Sequence, residues 1–375
     1  MSKTKSVCIM TSVHRFDDVR IYHKEAKAFK KAGYDVTILC SNLKSPEQTE
    51  WTDEFGIHFI KVNIPSGRTK RILSATSCFY KAAKSLQCDY YHFHDPELIK
   101  AGLKLQKFAK VIYDIHEDVP RQILTKPYLK PFIAKVASQL FEKHEVKAAK
   151  KLYGIVAAEP VIYDRMAPLN PNTIMVCNYP KLEEFELTDN DNNDRKNEIC
   201  YIGGITKIRG IFEMLDAIQG TDIKLILAGE FETQELKQEV QNHPGYKNVD
   251  YRGFIGREEV KEVLSRVKAG LVTLHPIPKY LTALPVKMFE YMIAEVPVIS
   301  SDFPYWKAIV DDAQCGICVD PMNSGDIKDA ILYLFNHQKE ASQMGESGRK
   351  KVLEKYNWEI EQQKLLAFYN NRKEN

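Results

Sequence analysis

Two short stretches hold the residues best suited to chemistry. In "YIGGITKIRG" (Tyr201–Gly210) a predicted strand ends on Gly203-Gly204, and a loop carrying Lys207 and Arg209 leads into a helix starting near Gly210. Glycines let a ligand approach the backbone, and a helix start offers unpaired N–H groups and the positive end of a dipole. Lys and Arg add charge-assisted donors, so the stretch is built for an anion, although it matches neither G-x-G-x-x-G nor the P-loop. A tight turn with surface cations would look the same. In the second stretch, Leu284-Pro285-Val286-Lys287 opens a helix expected to run to Ala294, with Pro285 in the first turn. Its backbone amides and Lys287 offer another anion cradle. Glu290 falls one turn later on the same side, where a carboxylate can accept both hydroxyls of a ribose. An i,i+3 ion pair with Lys287 is the plainer reading, and the bulky neighbours Phe289, Tyr291 and Met292 weigh against it.

A second set of polar residues lies in the first half. "YYHFHDPELI" and "VIYDIHEDVP" each end a predicted strand in a polar cluster, which places His94, Asp95, Glu97, Asp114, His116 and Asp118 at a strand edge. His14, Asp18 and Arg20 follow the first predicted strand and are read with this polar set. His94, His116 and a carboxylate could assemble a divalent metal site. His92 alternates with His94 and is expected to be packed. Cys315-Gly-Ile-Cys318 lacks a second pair for zinc, and Asp189-Asn190-Asp191 in an acidic, unpatterned stretch is best read as chance.

The elements that must position these residues alternate between strand and helix. A chain of 375 residues with 44% hydrophobic content suits two globular domains. No apolar run reaches the roughly 18 residues of a membrane helix, and no signal peptide is read, so the chain is expected in the cytoplasm. Residues 1–180 hold 28 Lys and Arg against 18 Asp and Glu, whereas residues 181–375 hold 25 against 32. A basic first half suits an anionic partner or membrane surface, and no motif or aromatic platform points to nucleic acid. The alternation predicts an α/β protein of two doubly wound parallel-sheet domains facing across a cleft. The N-terminal domain spans 1–180 and is completed by a C-terminal helix, 358–375; the second domain spans 181–357. A long helix, Leu129–Lys151, carries Leu129, Phe132, Ile133, Val136 and Leu140 on one face. That face could meet a lipid surface or pack on the sheet.

Taken together, "YIGGITKIRG", "ALPVKMFEYMIAEVPVISSDFP", "GICVDPMNSGDIKDAI", "GRKKVLEKYNWE" and the N-terminal "HRFDDVRIYHKEAKAFKKAGYDV" resemble the retaining GT-B-fold glycosyltransferases of family 4, of the bacterial surface-polysaccharide type. The resemblance runs from about Ser6 to Tyr369. It implies transfer of a sugar from a nucleoside-diphosphate sugar, UDP favoured over GDP, to a glycan or lipid-linked acceptor, with no cofactor or metal. It also implies a location at the inner face of the cell membrane, with peripheral contact to anionic lipid. By the resemblance, His116 contacts the transferred sugar, Glu290 the ribose, the segment around Phe254 and Ile255 the base, and Arg209 and Lys287 the diphosphate. Gly203, Gly204, Lys207, Thr282, Leu284, Pro285 and Val286 complete the donor site, and His14, Asp18, Arg20, His94, Asp95, Glu97 and Asp118 are read as acceptor-side residues. Two positions depart from the family pattern. Gly204 stands where an Arg is usual and Thr282 where a second Glu is usual, which supports an inactive nucleotide- or glycan-binding protein as one alternative; a sugar-nucleotide epimerase of the same fold is the other.

Overall fold

The computed structural model describes residues 4–42, 49–65, 68–124, 129–185 and 195–370, so Asp189-Asn190-Asp191 lies outside the described residues. The chain forms two compact units, one of Met1–Asn178 with Ile360–Asn375 and the other of Tyr179–Glu359.

In the first unit, β1 (Ser6–Arg15), β2 (Asp35–Asn42), β3 (Glu50–Thr52), β4 (His58–Lys61), β5 (Tyr90–Phe93), β6 (Lys110–Ile115), β7 (Gly154–Ala157) and β8 (Thr173–Met175) form one sheet. Its order is β3-β4-β2-β1-β5-β6-β7-β8. Every pair is parallel except β3 with β4. The strands read as near-continuous apolar runs because both faces are covered: Val7, Cys8, Ile9 and Met10 are successive residues and all are buried. The C-terminal helix Trp358–Asn370 belongs to this unit from Ile360 onward and seats Leu365, Phe368 and Tyr369 in its interior. Tyr90 donates from its hydroxyl to the Tyr369 carbonyl at 3.0 Å.

The helix Pro131–Ala149 reverses one expectation. Its buried positions are the small Ala134, Ser138, Ala148 and Ala149, together with Glu145, while Phe132, Ile133, Val136 and Leu140 are exposed. The Ser138 hydroxyl donates to the Pro120 carbonyl at 2.8 Å. Small residues let the helix lie close to the body of the unit, so its bulky apolar residues point away. They do not pack on the sheet.

The second unit holds β9 (Glu198–Ile202), β10 (Lys224–Ala228), β11 (Val249–Gly253), β12 (Ala269–Val272), β13 (Val298–Ser301) and β14 (Gly316–Val319). All are parallel, in the order β11-β10-β9-β12-β13-β14. The strand order reverses between β9 and β12, the switch point at which a doubly wound sheet leaves a crevice beyond its strand ends. Residues 203–210 follow β9 directly. The helices Gln234–Gln241 and Pro278–Thr282 were not anticipated from the sequence. No helix among the described residues is long and apolar enough to cross a membrane.

Candidate active site

In the second unit the loop after β9 is held open by glycine. Gly210 has φ +76°, and a Cβ there would sit 2.2 Å from the Thr273 carbonyl oxygen, so the loop lies directly on the chain leaving β12. Gly229, at φ +143°, would place a Cβ 1.9 Å from the Gly203 carbonyl oxygen. Neither position tolerates a side chain without backbone movement. A short 3₁₀ turn, Lys207–Arg209, then delivers the chain to the helix Ile211–Ile218, for which Gly210 is the N-cap.

Two cations converge on this turn. A Cβ built on Gly203 would lie 3.0 Å from Lys287 Nζ and 3.5 Å from Arg209 Nη1. Over Gly204 the Arg209 guanidinium comes within 3.2 Å of the corresponding point and donates to the Gly204 carbonyl at 3.1 Å. The space that a side chain at 204 would need is filled by Arg209, which its Nε–H to Tyr280 Oη hydrogen bond of 3.3 Å also steadies. Lys287 comes from the other stretch, on the helix Val286–Ile293, whose N-cap is Pro285. Met288, Phe289, Tyr291, Met292 and Ile293 are buried and fix the helix, and Tyr291 accepts from the Ile202 amide at 3.1 Å. The Lys287 ammonium is buried, lies 3.6 Å from the Tyr201 ring centroid, and has no hydrogen-bond partner among the described residues. Burial and then the charge of Arg209 push it well below the usual lysine range. Arg209 and Lys287 thus stand side by side as two cationic donors, a pairing suited to an anion. The first-turn amides of the helix beginning at Pro285 add donors on the same element.

Other expected donor residues fall differently. Lys207 is exposed and pairs with Glu239 at 2.5 Å, so it joins the helix Gln234–Gln241 and not the Gly203 turn. Glu290 does not pair with Lys287. It accepts from Arg257 Nη1 at 2.7 Å, and Arg257 also pairs with Glu184. Arg257, which opens the helix Arg257–Arg266 just after Ile255, was missed by sequence reasoning. It lies 33 residues from Glu290, and no local spacing connects the two. Thr282 is exposed at the end of its short helix, Leu284 is buried, and Phe254 beside the half-buried Ile255 is open to solvent. A further ion pair, His275 Nε2 to Glu213 Oε1 at 3.1 Å, sits beside the loop and was not anticipated either.

In the first unit the switch point lies between β1 and β5, and most of the acceptor-side residues gather beyond it. His94 Nδ1 is 2.7 Å from His116 Nε2, which in turn is 3.2 Å from Asp114 Oδ1. His14 lies 3.4 Å from Asp18 and 3.6 Å from Asp95. Its hydrogen bond with Asp18 raises His14. Burial would raise Asp18, but that same hydrogen bond and the Ile21 amide outweigh it and hold the carboxyl at about 2. Asp18 is also the N-cap of the π-helix Val19–Ala26, accepting from the amides of Arg20 and Ile21.

Asp95, Asp118, Glu97 and Arg20 of the acceptor-side set have structural partners. Asp95 accepts from the Ser12 amide at 2.6 Å and the Thr11 hydroxyl at 2.9 Å, which ties the end of β1 to the chain after β5. Asp118 lies 3.5 Å from Arg165 and 3.6 Å from Arg121, and Glu97 accepts from Ser12 Oγ at 2.8 Å. Arg20 corrects the expectation most clearly. It is buried, pairs with Asp114 at 2.7 Å and Glu25 at 2.9 Å, and donates to the Val176 carbonyl at 2.9 Å, so it cannot greet a substrate.

Glu25, His92, His94 and Asp114 bring ligand atoms within 4.8 Å of one another, close enough to surround a cation. Arg20 already supplies that positive charge to both carboxylates. Burial and then the Asp114 charge raise Glu25 well above the carboxylate range; burial would raise Asp114 too, but Arg20, His116 and His92 together outweigh it and hold Asp114 well below that range. Burial lowers both His92 and His94. His92, expected only to be packed, hydrogen-bonds through Nδ1 to the Tyr369 hydroxyl at 2.6 Å.

Comparisons with known proteins bear on the fold and the family. The model described as Glycosyltransferase Family 4 matches residues 19–175, and that described as Glycosyl transferases group 1 matches 183–351. The D-rhamnosyltransferase WbpZ of Pseudomonas aeruginosa is 22% identical over 77% of this chain and 74% of its own. The O-antigen chain mannosyltransferase C of Escherichia coli is 21% identical, covering 74% of each. Among solved structures, sucrose-phosphate synthase from Thermosynechococcus elongatus superposes with a TM-score of 0.79 at 15% identity, over 98% of both chains. The Anabaena protein HepE in complex with UDP gives 0.70 at 11% identity, over 98% of this chain and 100% of its own. The chain belongs to the GT-B-fold glycosyltransferases of family 4.

Proposed function

We propose that this glycosyltransferase moves a sugar with retention from a nucleoside-diphosphate sugar to a glycan or lipid-linked acceptor, in the assembly of a bacterial surface polysaccharide and without a metal ion. One observation carries the reading: Arg209 and Lys287 converge on the Gly203–Gly204 turn at the switch point of the second unit, with the Lys287 ammonium unpartnered. As the glycosidic C–O bond breaks, negative charge grows on the β-phosphate. Donors aimed there favour the transition state over the bound substrate. The acceptor oxygen forms the new bond to the same sugar carbon, and its proton passes to the departing phosphate oxygen, so no protein base is needed. Glu290, steadied by Arg257, takes the ribose hydroxyls, and the segment at Ile255 takes the base. In the first unit, His116 addresses a substrate hydroxyl with His14, Asp18 and His94 around it.

UDP is the favoured nucleotide, in keeping with the UDP complex of HepE. The rhamnosyl- and mannosyltransferase relatives support a polysaccharide setting, and a lipid-linked acceptor would bring the enzyme to the inner face of the cell membrane. The test is incubation with a series of sugar nucleotides, with and without acceptor. Acceptor-dependent release of nucleoside diphosphate is expected, falling about a hundredfold or more in Arg209→Ala. Formation of a new sugar nucleotide without acceptor, or tight binding with no turnover, would overturn the reading.

A further inference from the structure

Tyr201 stands between the two cations of the anion turn. It is the penultimate residue of β9, is buried, and shares a core with Ile205, Ile211 and Leu227. Phe or Leu would serve that packing as well. Two contacts go beyond it. The Lys287 ammonium lies over the ring, 3.6 Å from its centroid, where the negative face of the π-system attracts a cation. This ammonium is buried and has no hydrogen-bond partner among the described residues. At its other end, Tyr201 donates from its hydroxyl to the Gly204 carbonyl at 3.0 Å, and Arg209 Nη1 donates to the same oxygen at 3.1 Å. One side chain thus meets the ammonium with its ring and shares an acceptor with the guanidinium.

We propose that Tyr201 is a positioning residue for the diphosphate: its ring holds Lys287 in place and its hydroxyl fixes the Gly204 carbonyl on which Arg209 rests. Both cations are then aimed at the turn before the ligand arrives. The proposal rests on the reading of Arg209 and Lys287 as diphosphate donors. A lysine side chain is long and flexible, and ordering it at the moment of binding would cost affinity; a ring that already seats it removes that cost. The ring also favours the charged form of the amine, and it leaves the N–H groups available to phosphate oxygens. Lys287 therefore stays over the ring when the phosphate binds. A carboxylate in the same place would neutralise the lysine and compete with the ligand, as Asp114 and Glu25 saturate Arg20.

The test is titration calorimetry of the full chain with UDP and GDP, at concentrations that saturate each variant. Tyr201→Phe keeps ring and packing and should weaken binding about threefold, through the lost hydroxyl. The same substitution made with a trifluorinated phenylalanine keeps the shape but drains the ring face, and should weaken binding about tenfold relative to plain Phe. Thermal melts confirm that both variants fold. Double-mutant cycles separate positioning from packing. The fluorine effect should vanish when Lys287 is already Met, and the hydroxyl effect when Arg209 is already Ala. Equal or tighter binding by the fluorinated ring overturns the proposal, as do losses that persist in those backgrounds. Should Arg209→Ala and Lys287→Met themselves bind as the wild type does, the donor reading falls first. If they weaken binding and the Tyr201 variants do not, only the role of Tyr201 is lost.

Discussion

Arg20 and Lys287 are both buried cations beside the switch point of a doubly wound sheet, and their surroundings could hardly differ more. Arg20 is saturated: Asp114, Glu25 and the Val176 carbonyl take up its guanidinium. Lys287 has the Tyr201 ring and the like charge of Arg209 for company, and no hydrogen-bond acceptor among the described residues. A buried charge is tolerated when paired and costly when alone. The first centre is complete within the protein and holds neighbouring side chains in place. The second sets two cationic groups side by side, and on the proposed reading a diphosphate balances them. The same comparison separates residues that look alike in the sequence. Arg20 and Arg209 each stand shortly after a strand, yet Arg20 is closed by carboxylates while Arg209 lies over the Gly203–Gly204 turn beside Lys287.

The comparison breaks first at Arg20. Replacing it by Met leaves the Asp114 carboxylate buried without its partner, and a stability loss of about 3–5 kcal/mol is expected in chemical denaturation. A loss of less than about 1 kcal/mol would mean that water or rearrangement already compensates the charge, and that the centre is not closed. Lys287→Met should behave in the opposite way. Removing an unpartnered ammonium should leave the denaturation midpoint unchanged or raised, while turnover falls by about 3 kcal/mol in transition-state stabilisation. Should Lys287→Met instead unfold the protein as Arg20→Met does, the lysine is a structural prop and the contrast is lost.

The contrast also explains what the sequence could reveal. Strand–helix alternation and runs such as Val7–Met10 announce two parallel sheets, because strands buried on both faces lose their polar alternation. Gly203-Gly204 and the Pro285 helix start were legible because turn and cap chemistry is local. Partners across the fold were not. Asp114 and Arg20 are separated by 94 residues, and Glu290 and Arg257 by 33, so nothing in their immediate neighbourhoods signals that they pair. Lys207 misled for the same reason: beside the glycines it reads as a phosphate ligand, whereas its helical neighbour Glu239 claims it. The helix Pro131–Ala149 misled in reverse, since an apolar stripe says that something covers it but not what. Its inward face is made of Ala134 and Ser138, residues too small to register as a packing signal.

The smallest expected effect is also the one most specific to an unpaired lysine. Burial and Arg209 hold Lys287 below its ordinary range. Between that lowered value and the ordinary one, the unfolded chain binds a proton that the folded chain does not, so this residue makes stability rise with pH across the window. A diphosphate seated against Lys287 supplies the missing opposite charge and moves the lysine back up. Binding of a nucleoside diphosphate within the window must then draw in a proton from solution, up to about one per site. Titration calorimetry in buffers of different ionisation enthalpy measures this directly. Uptake arising from the phosphate itself is removed by comparison with Lys287→Met, provided the nucleotide is concentrated enough to saturate the variant. At Arg20, where the charge is already balanced, no such linkage is expected. If the two proteins take up protons equally, the bound phosphates do not sit at Lys287, and the anion turn must be placed elsewhere.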